Sequence, residues 1–161
     1  MTIRTVIAIG AGGLVIVSLA ILLIRGNFGT PQRKTRLALH ELAESEVPNG
    51  AIAKGPANCL GHNSESAQLR GMGVLWLSDS TLGFVLRRPT RHFKIPVSEI
   101  NSATASTSFS RVGFSQSSSE VEYLIADWTD SFGRNMIGFK LENAEQWASQ
   151  IDRAVLDHRL R

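Results

Sequence analysis

The 161 residues include a single cysteine, Cys59, so no intrachain disulfide can form, which fits a reducing compartment. There is no Asn-x-Ser/Thr sequon to mark a glycosylated surface. No acidic residue occurs in the first 36 positions, although five Lys and Arg stand there. The sequence also lacks a glycine-rich phosphate loop, a nucleophile motif and any pair of cysteines, and with them the usual signals of nucleotide hydrolysis, covalent catalysis and structural zinc. A chain this short holds one ordinary domain plus a brief extra segment, which excludes a large multidomain enzyme.

What is present divides by position. Thr5 to Ile24 runs for 20 residues without a charge and contains twelve Val, Ile or Leu; a helix of about 20 residues spans a hydrocarbon core of about 30 Å. The apolar core of a signal peptide is shorter, about 7–15 residues, and ends at a small-residue cleavage site. This run ends instead in Leu22-Leu23-Ile24-Arg25, so an uncleaved membrane anchor is expected. Val6-Ile7-Ala8-Ile9-Gly10-Ala11-Gly12-Gly13 imitates a strand entering a dinucleotide-binding loop, but Val15 stands where that fingerprint needs its last glycine. Arg4 precedes the run, whereas Arg25, Arg33, Lys34 and Arg36 follow it. Because the more cationic flank stays in the cytoplasm, the N-terminus is expected outside the plasma membrane and everything beyond Arg25 in the cytoplasm.

The same boundary explains the charge. A formal net charge of +3 would ordinarily raise nucleic acid as a partner. Yet Leu37 to Arg161 carries twelve Lys and Arg against all fourteen Asp and Glu, so the cations encode topology and no nucleic-acid partner is expected. Residues 1–25 are read as the tail and transmembrane helix, 26–46 as a basic juxtamembrane linker or short helix with Leu39, Leu42 and Ala43 on one face, and 47–161 as the folded domain.

In that domain the hydrophobic period is two. Met72 to Leu77 is an apolar run, Ser78-Asp79-Ser80 a turn, and Leu82, Phe84 and Leu86 alternate with Gly83, Val85 and Arg87. Arg88-Pro89-Thr90 turns the chain again, and Phe93, Ile95 and Val97 alternate with His92, Lys94 and Pro96, the basic set facing outward. Ile100 to Thr107 continues as a strand, and Ser106 to Ser119 is a serine-heavy loop or hairpin tip. Tyr123 to Leu141 forms a last hairpin about Asp130-Ser131-Phe132-Gly133. A helix follows, with Asn143 and Gln146 as a capping pair and Trp147, Ile151, Ala154 and Val155 on its buried stripe. The fold class is therefore α+β: an antiparallel barrel or sandwich capped by a C-terminal amphipathic helix, after an N-terminal transmembrane helix.

Gly73-Val74-Leu75-Trp76-Leu77-Ser78-Asp79-Ser80-Thr81-Leu82-Gly83-Phe84, Phe93-Lys94-Ile95-Pro96-Val97-Ser98-Glu99-Ile100 and the Trp147 helix together resemble bacterial pleckstrin-homology-like (PH-like, GRAM-like) domains. The whole chain looks like actinobacterial single-pass membrane proteins that carry such a domain after one helix. The resemblance implies the PH-like fold over roughly Val47 to Val155, and eukaryotic relatives of that fold bind phosphoinositide headgroups or peptides. It also implies a serine-x-x-glycine-lysine phrase after the fifth strand. Ser110-Arg111-Val112-Gly113 fits that phrase, but Phe114 replaces the lysine.

The candidate binding patch is Arg87, Arg88, Arg91 and Lys94, with His92 among them, on one hairpin. With the juxtamembrane Arg33, Lys34 and Arg36 it is able to hold the domain against anionic lipid headgroups. The alternative is a solvated edge hairpin whose cations discourage edge-to-edge aggregation. Cys59-Leu60-Gly61-His62 has metal-like spacing, but His40, His92 and His158 supply no second pair. Asp127 with Asp130 and Glu120 with Glu122 are read as surface turn chemistry, and Trp76, Trp128 and Trp147 as core anchors. The expectation is a non-enzymatic module without metal or cofactor, integral to the membrane, docking a protein partner or the anionic inner face. The alternative is an accessory subunit of a membrane transporter or export complex, acting through its transmembrane helix.

Overall fold

In the computed structural model, residues 31–62, 69–111, 114–117 and 122–161 are described. The expected anchor, Thr5–Ile24, and the joint at Gly26–Thr30 lie outside them. Among the described residues no helix is long and apolar enough to cross a membrane. The chain divides into two units, Met1–Ala38 and Leu39–Arg161, with the boundary inside helix α1 (Pro31–Glu46). The helical alternative for residues 26–46 thus holds from Pro31 on. The second unit starts at Leu39 because Leu39 and Val47 are buried, with Leu42 and Ala43 beside them, against Val74, Trp76 and Val85 of the sheet.

Among the described residues nine strands follow: β1 (Ala53–His62), β2 (Gly71–Leu77), β3 (Thr81–Arg87), β4 (Thr90–Pro96), β5 (Ile100–Ser106), β6 (Ser108–Arg111), β7 (Phe114–Ser117), β8 (Tyr123–Asp130) and β9 (Gly133–Lys140). Helix α2 (Ala144–Arg159) ends the chain, and a 3-10 turn at Val97–Glu99 links β4 to β5. Seven strands make one antiparallel sheet in the order β4-β3-β2-β1-β9-β8-β5, and among the described residues β6 and β7 pair with each other and with no other strand. The predicted hairpins β2–β3 and β8–β9 form. Strand β1 does not appear in the sequence reading at all. Its Gly55, Pro56 and Gly61 interrupt the apolar period, and a register shift between Cys59 and Gly61 adds a bulge, with Gly61 at φ 102°. Pro56 is tolerated because β9 pairs with β1 only from Asn58 onward, so the edge at Pro56 that lacks an N–H has no second neighbour to serve.

Neighbouring strands lie about 4.8 Å apart, so β4 and β8, five places apart in the order, would be about 24 Å apart in a flat sheet. Their Phe93 and Trp128 rings instead meet edge to face at 5.7 Å, and Phe84 of β3 meets Phe139 of β9 at 5.3 Å. The sheet is therefore curled around one core of Leu75, Leu82, Phe84, Ile95, Leu124, Ile137 and Phe139. Helix α2 closes it with Ala148, Ile151, Ala154 and Val155, all buried. Trp147, expected as the buried anchor of this helix, is only partly buried, whereas Ile151 is fully buried in the core. The predicted capping pair does not form: Asn143 sits at the helix start in the left-handed region, φ 58°, and its side chain makes no capping bond. Asparagine tolerates that conformation better than most residues.

Two parts of the outer face are also covered. Val85 is fully buried beneath α1, and the Trp76 indole lies over Gly83, its cross-strand partner. On the other half, Phe109 of β6 lies over Gly138, where an added Cβ would come within 2.6 Å of the ring. Leu60, Tyr123, Ile125 and Met136 surround it. Within the serine-rich stretch, β6 and β7 pair as a hairpin, and Phe109 packs it against the sheet.

Candidate functional site

The cations of the β3–β4 hairpin are exposed, with Arg87 half-buried. Among the described residues none of Arg87, Arg88, Arg91 and Lys94 has a carboxylate partner. They do not share one face. His92 and Lys94 pair with Val85 and Gly83, on the outer face under which α1 packs, and Arg87 has the same parity. Arg91 stands opposite Leu86 on the face of Phe93 and Ile95, and Arg88 occupies the turn. His92 Nε2 lies 3.2 Å from Glu46 Oε2 at the end of α1, so this face already meets one carboxylate. Arg33, Lys34 and Arg36 are exposed on the first turns of α1, in the other unit.

The remaining sequence candidates carry structural duties. Cys59 is 1% exposed; its thiol donates to the Leu69 carbonyl at 3.0 Å and accepts from the Gly61 N–H at 3.4 Å. Burial pushes the thiol up to about 12, so it stays protonated and is a poor metal ligand or nucleophile. Iodoacetamide at pH 8 is accordingly expected to leave Cys59 unlabelled in the folded protein and to label it completely in urea; fast labelling of the folded chain, followed by mass spectrometry, would contradict this placement. His62 is packed in rings, stacked on Phe93 at 5.8 Å and 6.5 Å from Trp128. Among the described residues no group of three or more His, Cys, Asp or Glu is arranged to hold a metal.

Asp127 receives a two-point contact from Arg134, with Nε to Oδ2 at 2.8 Å, and the Asn101 amide at 2.9 Å. The Arg134 guanidinium holds its carboxyl below the usual carboxylate range. Asp130 accepts the Phe132 N–H at 2.8 Å, which shapes the β8–β9 turn. Asp130 thus serves the turn, whereas Asp127, expected as surface turn chemistry, lies within β8 and is mostly covered. Glu120 lies outside the described residues, and Glu122 is exposed. Trp76 and Trp128 are buried. Of the serine-x-x-glycine phrase, Ser110 ends up exposed on β6, and Val112 and Gly113 lie outside the described residues.

One feature was not legible beforehand: an open groove of about 880 Å³ where β1 meets the end of β9 and the start of α2, lined by Asn58, Met72, Glu122, Lys140, Glu142 and Asn143 among others. It depends on β1, whose place in the sheet no local pattern reveals. No protein-family model matches this sequence, and no curated protein matches it either. The chain's own geometry therefore carries the functional reading.

Proposed function

We propose that the protein is a membrane-anchored, non-enzymatic PH-like module that docks a protein partner or the anionic inner face of the membrane. The observation that carries the docking role is the β3–β4 hairpin, where four cations stand without carboxylate partners among the described residues in a domain whose formal charge beyond residue 36 is negative. Support for the PH-like assignment comes from the meander in which β1 pairs with β9 and the terminal helix closes the curled sheet, the architecture that the resemblance implies. The uncharged Thr5–Ile24 run and its cation-rich C-terminal flank support an anchor that leaves the domain in the cytoplasm.

Flotation of the fragment from Leu37 onward with phosphatidylserine vesicles tests the lipid arm. Each cation near an anionic surface contributes about 1 kcal/mol, so changing Arg87, Arg88, Arg91 and Lys94 to Gln is expected to weaken binding by on the order of a hundredfold or more. Unchanged flotation would remove the hairpin from lipid docking. Vesicle binding weakened by raised salt in the unaltered fragment, and absent in the variant, is the expected outcome.

A further inference from the structure

The seven-stranded sheet has two edges, β4 and β5, and they are finished differently. At β5, α2 supplies partners to the outward backbone: Asp152 accepts the Ala103 N–H at 3.1 Å, and Arg159 donates to the Ile100 carbonyl at 3.4 Å. At β4 no such partner is present among the described residues. Which groups face outward there follows from the ladder. The Val97 N–H donates to the Ser80 carbonyl at 2.9 Å, and hydrogen-bonded pairs alternate along antiparallel strands, so Ile95, Phe93 and Arg91 bond inward to Leu82, Phe84 and Leu86. The N–H and C=O of Thr90, His92 and Lys94 are left pointing away from the sheet. Pro96, with no N–H to offer, falls at an outward position, where it removes nothing from the β3–β4 ladder.

An added strand would place the residues opposite His92 and Lys94 on the same outer face as those two side chains. Both are exposed cation-forming groups, and His92 already has the Glu46 carboxylate at 3.2 Å. A second copy of β4 would bring Arg91 and Lys94 against their own kind, a like-charge juxtaposition that disfavours pairing. We propose that the open edge of β4 takes an extended acidic peptide as an eighth strand, with carboxylates on alternate residues opposite His92 and Lys94. This deepens the docking reading given above, on which it rests, by naming the partner's chemistry and the atoms that hold it: backbone bonds supply the affinity and the cations select the sign of the charge.

The full-length chain in neutral detergent is titrated against three fluorescein-labelled nonapeptides, followed by anisotropy: glutamate alternating with valine, lysine alternating with valine, and the glutamate peptide N-methylated on the alternate amides that would face β4. The glutamate peptide is expected to bind at least about tenfold more tightly than the lysine peptide, and N-methylation to abolish binding while leaving the charge intact. The double variant His92→Glu, Lys94→Glu should reverse the preference, an outcome that misfolding does not produce. Equal binding of the plain and N-methylated peptides means attraction by charge alone and overturns strand addition, as does equal binding of the glutamate and lysine peptides. Sedimentation showing a dimer that the glutamate peptide fails to dissociate would assign the edge to a second copy and likewise overturn it. Phosphatidylserine vesicles form the separating arm: vesicle binding without peptide binding defeats this inference and leaves the docking module standing, whereas binding of neither defeats both.

Discussion

Replacing Trp76 with alanine is expected to lower the unfolding free energy by about 3–5 kcal/mol, the usual cost of removing a buried large aromatic, read as a fall in the urea midpoint. Trp76 is 4% exposed and is the hub through which Leu39, Val47, Val74 and Val85 hold α1 on the sheet. Its seat is Gly83, where any Cβ would overlap the indole. Gly83→Ala alone should therefore cost about 1–3 kcal/mol by overpacking. In the double variant the added methyl meets no ring, so the second change should cost nothing beyond Trp76→Ala. Residues in contact depart from additivity in this way, and strictly additive losses would show that the indole does not rest on Gly83.

Phe109→Ala is expected to release the β6–β7 hairpin. Phe109 is 1% exposed, and truncating a buried phenylalanine costs about 3–5 kcal/mol. That cost falls on a two-stranded piece paired with no other strand among the described residues, and an isolated two-stranded hairpin is marginal in water. The loss should thus appear first as local opening, with rapid proteolysis at residues 106–117 while the seven-stranded sheet still unfolds cooperatively. Gly138→Ala should act in the same direction, because its methyl would push the ring from its seat. Unaltered protease resistance in both variants would mean that the hairpin is held by something other than Phe109.

These two glycine seats show where sequence periodicity stops being informative. The period-two pattern in β3, β4, β8 and β9 is legible because one face of each strand lines the core. In β2, however, Val74 and Trp76 are buried on one face and Leu75 and Leu77 on the other, so alternation gives way to a continuous run whose second cover, α1, lies thirty-odd positions earlier in the chain. Nothing local distinguishes Gly83 and Gly138 from turn glycines. Their role comes from a ring on a neighbouring strand or on a separate hairpin. For the candidate site, the cations themselves could be read directly, and Lys94 and His92 do face outward. That Arg91 stands on the opposite face follows from alternation. That β4 is an edge at all depends on β5 pairing with β8 and not with β4, which is a property of the assembled sheet.

That pairing also bears on when the fold can form. Asn58 lies beside Lys140, about 80 residues apart in sequence, and contacts of such separation are the slow part of folding. During synthesis the β1–β4 meander emerges complete while β9 is still unmade, so one flank of β1 has no partner until about 80 further residues have been made. The cohesive step of this domain is thus postponed until β9 has been made, and until then β1 is the strand whose exposed flank most needs protection from other chains.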